Sequence, residues 1–408
     1  MSAGGRFRAL YIRNYRLFFL GQLVSLSGTW MQRVAQAWLV LQLTDSPFAL
    51  GTVSAIQFAP ILVLMPFGGV LADRFPKQRV MSITQVLQMI QAITLATLVT
   101  TGIVELWHVY ALAAMLGLSN AFDNPTRHSM TAELVGQENL ANAVALNSSL
   151  MNTARIIGPA IAGIIIARFG INACFWANAL SFVATLGALA AMRKSEMLSS
   201  PAARKGHVLG QIGEGMAFAA SNRSVCQSMI LVGALGTFGF NFNTFVPLIA
   251  RYVVGSGAAG FGFLFSCLGA GSVLSALTVA SRREATERTL MIGAAAFALT
   301  LAMIAASPLY ALTAGLLFVL GAASTAFSTT ASTRVQLATP ASMRGRVMSL
   351  HMMLFMGTTP IGATFIGSIS EWFDVPTALA SCAGMCLLGV VAAAVYAVRV
   401  PAPVESPG

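Results

Sequence analysis

Apolar stretches, most of them 20 or more residues long, recur along the whole chain, separated by short segments rich in Arg, Gly and Pro. A hydrocarbon core about 30 Å thick is crossed by a helix of about 20 apolar residues. Twelve stretches reach that length, at about 17–43, 48–72, 80–101, 106–126, 139–167, 171–192, 225–250, 258–281, 288–306, 309–333, 345–370 and 376–398. The pattern predicts twelve membrane-spanning helices, and Gly or Pro inside them does not exclude helix where neighbours satisfy the backbone. Four spans also carry polar residues at helical spacing. Span one has Ser25, Thr29, Gln32 and Gln36; span four has Asn120, Asp123 and Arg127. Span seven has Thr237, Asn241 and Thr244 beside Phe238, Phe242 and Phe245, and span ten has Ser324 and Ser328. Lipid penalises such stripes, so they face protein or water. Lining a wet route and interhelical hydrogen bonding are both open readings.

Composition narrows the class. Hydrophobic residues make up 56% of the 408 and charged ones 9%, with a mean hydropathy of +0.76. Soluble domains carry about 25% charged residues, and disordered chains are far less apolar. The net charge of +11 would suit nucleic acid on a soluble protein, but here the basic residues lie between apolar runs. With the N-terminus inside, twenty of the 24 Lys and Arg fall in cytoplasmic segments and only Arg168 and Arg251 outside, while Arg33 and Arg155 lie within spans. This is the positive-inside bias of an inner-membrane protein with both termini cytoplasmic; its partners are the lipid bilayer and a small molecule, not nucleic acid. Arg6, Arg8, Arg13 and Arg16 precede an apolar run too long for a signal peptide and without a small-x-small site, so that run reads as the first span. The five cysteines form no CxxC pair and no metal set.

The polar stretch after Arg193 divides the chain into an N-terminal six-helix bundle (1–192), a cytoplasmic linker (193–224), a C-terminal six-helix bundle (225–400) and a tail (401–408). A repeat supports the division: Ser148, Met151, Pro159 and Ala162 recur as Ser349, Met352, Pro360 and Ala363. Two pseudo-symmetric halves predict a pathway between them.

Gly69-Val70-Leu71-Ala72-Asp73-Arg74, with Lys77 and Arg79 following, resembles the GxLxDRxGRR signature of the major facilitator superfamily. Asp123-Asn124-Pro125-Thr126-Arg127, the run Asn147 to Gly163 and the run Arg344 to Gly362 are similar to the enterobactin-exporter-like branch, which comprises transmembrane secretion effectors and drug–proton antiporters. The resemblance implies the all-α major facilitator fold, a monomer, and a latch of Gly69, Asp73, Arg74, Lys77 and Arg127 that stabilises the outward-facing state; an ordinary charged loop is the plain alternative. It also implies that the first and fourth helices of each half line a central cavity. Pro76 and Gln78 depart from the loop signature, Gly158–Gly163 matches only the end of the antiporter signature, and Arg282 and Arg283 occupy the second-half loop without an acidic partner.

The site residues that follow are Asp123 for proton coupling, or as a structural pair with Arg127 one turn on. For the substrate cavity they are Gln32, Arg33, Gln36, Asn120, Asn152, Arg155, Asn241 and Phe242. Arg33 and Arg155 suit anionic or catechol-like cargo, or else are satisfied by backbone carbonyls. Gly158, Pro159, Gly163 and Pro360 are hinge candidates. His351 is a pH sensor or a buried, hydrogen-bonded histidine. No GxxxxGK[ST] loop is present and the four histidines are scattered, so neither ATP-driven transport nor an enzyme is expected, and no cofactor. The expectation is a secondary exporter of small amphipathic or anionic molecules, siderophore- or drug-like, working by proton antiport. A proton-coupled importer and a non-transporting receptor on the same fold are the alternatives.

Overall fold

The computed structural model describes residues 7–198, 208–279, 285–340 and 343–400; the side chains of 65–74, 137, 152, 208–212 and 279 are outside the description. Arg6, Arg204, Lys205, Arg282 and Arg283 therefore lie outside the described residues. The described chain is helical throughout, with no strand. The helices are α1 (Arg13–Thr44), α2 (Pro47–Arg74), α3 (Lys77–Thr101), α4 (Leu106–Phe169), α5 (Ile171–Ala190), α6 (Val208–Ser221), α7 (Arg223–Phe238), α8 (Phe242–Leu248), α9 (Ala258–Val279), α10 (Glu287–Ala305), α11 (Tyr310–Ala338), α12 (Arg344–Met356), α13 (Thr359–Trp372) and α14 (Val375–Arg399).

Local chemistry sets the helix ends. Gly102 ends α3 in the left-handed region at φ 73°, and the following N–H of Ile103 reaches back to Leu98, a glycine-dependent stop. Asn222 caps α7, Thr286 caps α10 and Asp374 caps α14 by accepting the backbone N–H three residues on. The side-chain and backbone hydrogen bonds from Thr377 hold the exposed Asp374 carboxyl below its ordinary pKa.

Nine helices among the described residues are long and apolar enough to cross a membrane, or ten if the bent α7–α8 pair is one span. The two other expected spans are α1 and the first part of α4. Both are helical, but their polar stripes lower their hydropathy. Spans four and five are two helices that meet at a kink at Gly136 (φ 69°, ψ 173°, not helical) with no loop between them, and the label α4 covers both. Span seven is broken at 239–241 with a 41° bend, and span eleven divides at Gly357–Thr358. The stretch read as a linker contains a helix, α6.

Two compact units form. Unit 1 holds Met1–Arg204 and Ser256–Ser266; unit 2 holds Lys205–Gly255 and Cys267–Gly408. One end of unit 1 is closed by an apolar core of Tyr15, Phe18, Met81, Met130, Leu134 and Leu189. Beside it the Tyr15 hydroxyl donates to the Ala143 carbonyl, and Asn14 exchanges two hydrogen bonds with the backbone of Arg193. The start of α9 belongs to unit 1, with Phe261 stacked on Trp38 at 6.1 Å. In unit 2, Val225, Met229, Val335 and Val347 join α7, α11 and α12.

Close approach of backbones carries much of the packing, as expected where lipid supplies no hydrophobic drive between helices. In unit 2, a Cβ on Gly271 would overlap the Phe318 carbonyl, and one on Gly321 would overlap the Leu268 carbonyl. The glycines of α9 and α11 thus seat each helix against the other's main chain. Gly321→Leu is expected to force the pair apart and cost at least about 1–3 kcal/mol. Thermal unfolding in detergent should show a lowered Tm, with a smaller loss for Gly315→Leu, where the added Cβ meets nothing.

Candidate functional site

Asp123 is wholly buried on α4, one turn before Arg127. Its Oδ1 accepts from the Thr84 hydroxyl at 2.7 Å and from Gln85 Nε2 at 3.0 Å, both on α3. Its Oδ2 accepts from Arg127 Nη2 at 2.5 Å, and Arg127 Nη1 donates to Gln22 Oε1 on α1. Three helices are therefore joined through one carboxylate and one guanidinium. A buried ion survives only when it is paired and its remaining lone pairs are filled, and here three donors fill them. The pairing of Asp123 with Arg127 within one helix, one of the two readings of the spacing, is present. Lys77, at the start of α3, forms a second pair with Glu133 at 2.6 Å, both side chains nearly buried.

A polar line continues along α3. Gln88 Nε2 approaches Asn120 Oδ1 at 3.5 Å and Ser119 donates to the Thr84 carbonyl at 3.0 Å. Further along, Asn178 Nδ2 donates to Gln32 Oε1 at 2.6 Å and Gln32 Nε2 to Gln91 Oε1 at 2.8 Å. Gln32 and Asn120, expected on a cavity wall, thus turn toward α3, and Gln36 is also buried. The glutamine stripe Gln85, Gln88, Gln91 had a readable signal, a polar face at helical spacing inside an apolar run.

Arg33 lies with its guanidinium 4.5 Å from the Trp30 ring centre, a cation–π arrangement. Its Nε has no acceptor among the described residues. Arg155, the second arginine expected within a span, lies on α4. Gly69–Arg74 continue the helix of α2, but the side chains of Asp73, Arg74 and Asn152 are outside the described residues. Gly158 and Gly163 are contact points: a Cβ on Gly158 would strike Trp30 and the Ser27 carbonyl of α1, and one on Gly163 would press on Ala259 of α9. Pro159 sits inside an unbroken stretch of α4, whereas Pro360 opens α13 just after a break.

Unit 2 holds a counterpart that the sequence reading missed. Thr126-Arg127 recurs as Thr333-Arg334 near the end of α11. Arg334 Nη2 donates to Gln227 Oε1 on α7 at 3.4 Å, and Gln227 Nε2 donates to Glu287 on α10 at 3.0 Å. Arg223 completes the group by pairing with Glu287 at 3.1 Å. Asn241 and Phe242 flank the break in span seven. Asn241 Nδ2 caps the Thr237 carbonyl at 2.7 Å, and Phe240 stacks on Phe297 at 5.1 Å and packs on Phe242 and Phe355. His351 is buried and parallel to Phe355, and its Nδ1 has no partner among the described residues. No group of metal-ligating side chains occurs among the described residues.

Buried ion pairs lie inside helical units of membrane-spanning length, and comparison with known proteins makes this a multi-pass membrane transporter of the major facilitator fold, not an enzyme. The structure resembles the nucleoside transporter NupG (TM-score 0.71, 15% identity, 95% of this chain and 98% of that one). It also resembles a POT family transporter solved with 5-aminolevulinic acid (TM-score 0.77, 10% identity, 95% and 96%). The chain belongs to the transmembrane secretion effector family, whose model matches residues 5–406. It is 26% identical to the uncharacterized MFS-type transporter YfiS of Bacillus subtilis, over 90% of this chain and 88% of the relative. It is 25% identical to the enterobactin exporter EntS of Escherichia coli, over 92% and 90%. The staphyloferrin A transporter of Staphylococcus aureus is 25% identical over 65% and 66%.

Asp123→Ala leaves Arg127 and two further donors without their acceptor, and losing one partner of a buried pair costs about 3–5 kcal/mol. A lowered Tm in detergent is expected, with Asp123→Asn closer to wild type because its carbonyl still accepts from Thr84.

Proposed function

We propose that this protein is a secondary exporter of small amphipathic or anionic molecules, siderophore- or drug-like, coupled to proton antiport by alternating access. One observation carries the reading: the buried Asp123 carboxylate held by Arg127, Thr84 and Gln85. A proton arriving at Asp123 cancels the charge that Arg127 pairs with, so the guanidinium is released to another acceptor. Asp73 at the end of α2 is the acceptor the latch requires; in support, Arg127 Nε and Gln22 Nε2 have no partner among the described residues. Two arginines within the spans, Arg33 and Arg155, favour anionic cargo, and the names of the enterobactin exporter and the staphyloferrin A transporter agree with that choice. The bias of the basic residues supports an inner-membrane protein with both termini cytoplasmic, and the family resemblance supports a monomer.

Reconstitution in proteoliposomes with an imposed pH gradient tests the mechanism. Enterobactin movement should depend on the gradient in the wild type and fall at least tenfold in Asp123→Asn, with the protein still folded; an unaffected rate rules out Asp123 as the coupling residue. Arg155→Gln should slow enterobactin at least fivefold while sparing a cationic probe such as ethidium. An equal effect on both removes the anion preference.

A further inference from the structure

The two halves of span eleven are anchored very differently. The second half, α13, buries Gly362, Ala363, Ile366, Gly367 and Ser370. The first half, α12, buries only Val347 and His351 along its thirteen residues. Between them Gly357 and Thr358 have ψ angles of −20° and −5°, against about −42° in a regular helix. Pro360, just beyond, has no N–H to bridge the joint. A half-helix with so few buried side chains opens easily unless something else holds it. The helix of the linker, α6, does so. Phe218 and Ala219 of α6 enter the apolar core that Val347 shares with Val225, Met229 and Val335, and Leu350 and Leu354 of α12 pack on the same core. A Cβ on Gly215 would come within 3.3 Å of the Arg346 carbonyl, so the two helices meet there at their main chains. Across the same contact Arg346 donates to Glu214.

One residue, Asn222, joins α6 to α7; it caps α7, and its own N–H reaches back to the Phe218 carbonyl at 3.0 Å. The fourteen residues of α6 therefore form a rod about 21 Å long, jointed at one end and continuous with the linker at the other. The linker is fixed at its start as well. Asn14 holds the Arg193 backbone through two hydrogen bonds, and the Leu198 N–H donates to the Glu133 carbonyl at 2.9 Å. From Leu198 to Val208 is ten residues, a reach of at most about 36 Å, and past that reach one anchor yields. Asn14 is buried, whereas Glu214 and Arg346 are open to water, where an ion pair is weak. The α6 anchor is the one that gives. We propose that α6 is a strap: it pins the first half of span eleven to unit 2, and a pull through the linker lifts it and frees α12 to swing about Gly357–Thr358. The strap does not rest on the reading of Asp123 or of the cargo.

Hydrogen–deuterium exchange of the full chain in lipid nanodiscs, read by mass spectrometry, tests the strap. Gly215→Leu wedges the contact and should speed exchange of the α12 amides at least about tenfold, with α13 within about twofold of wild type. Glu214→Arg should speed α12 at least about threefold, and the charge swap Glu214→Arg with Arg346→Glu should return it to the wild-type rate. The swap guards against a folding failure in the first variant, since a misfolded chain is not repaired by a second substitution. Deleting residues 202–206 should act as Gly215→Leu does, whereas inserting five Gly and Ser residues there should leave α12 unchanged. Unaltered α12 exchange in both Gly215→Leu and Glu214→Arg overturns the strap, and so does equal acceleration of α12 and α13. A shortened linker with wild-type exchange overturns the pull. Loss of the proton-antiport reading would leave all of these rates as they are, so the two failures are distinguishable.

Discussion

A carboxylate in the interior of a membrane-spanning bundle has no solvent to fall back on, and unit 1 is arranged around that constraint. Hydrocarbon offers no donors, so every donor Asp123 needs must come from the protein. Thr84 and Gln85 supply two from α3, Arg127 supplies a third from the same helix, and Gln22 ties the guanidinium to α1. The polar residues of α3 follow from the same requirement, since a helix that offers donors to a buried acid cannot be uniformly apolar.

Unit 2 solves a related problem with different residues. Arg334 occupies the place that the repeated Thr-Arg pair gives it, and a glutamine of α7 receives it as Gln22 of α1 receives Arg127. The acid differs: Glu287 enters from α10, bridged to the arginine by the Gln227 amide, where unit 1 uses an aspartate on the arginine's own helix. Half a repeat has been kept and half exchanged. The positive charge and its amide receiver are common to both units, while the negative charge has changed helix. Such an exchange is tolerated because an amide that accepts from the arginine and donates to the acid links the two charges, whichever backbone delivers them.

Much of this was legible in the chain itself. The spans, their charge asymmetry and the stripe of Asn120, Asp123 and Arg127 are one-dimensional features, because crossing hydrocarbon demands length and apolarity of each segment separately. Glu287 and Gln227 were not legible as partners of Arg334, since 60 and 107 residues separate the bonded pairs and no local spacing encodes such a meeting. The same holds for Gln32, whose place in a polar stripe of α1 left open which neighbour it would face; α3 and α5 took it.

The sequence by itself determined that the protein is helical, membrane-embedded, built in two related halves and marked by charged residues at depth, because hydropathy, repeat and charge bias are properties of residues in order. Tertiary structure alone decided that spans four and five meet at a kink at Gly136, that span seven breaks beside Asn241, and that Gln85 of α3 completes the Asp123 site. Those outcomes depend on which helix faces which. That choice is made by backbone contact at glycines and by the pairing of buried polar groups across distant segments.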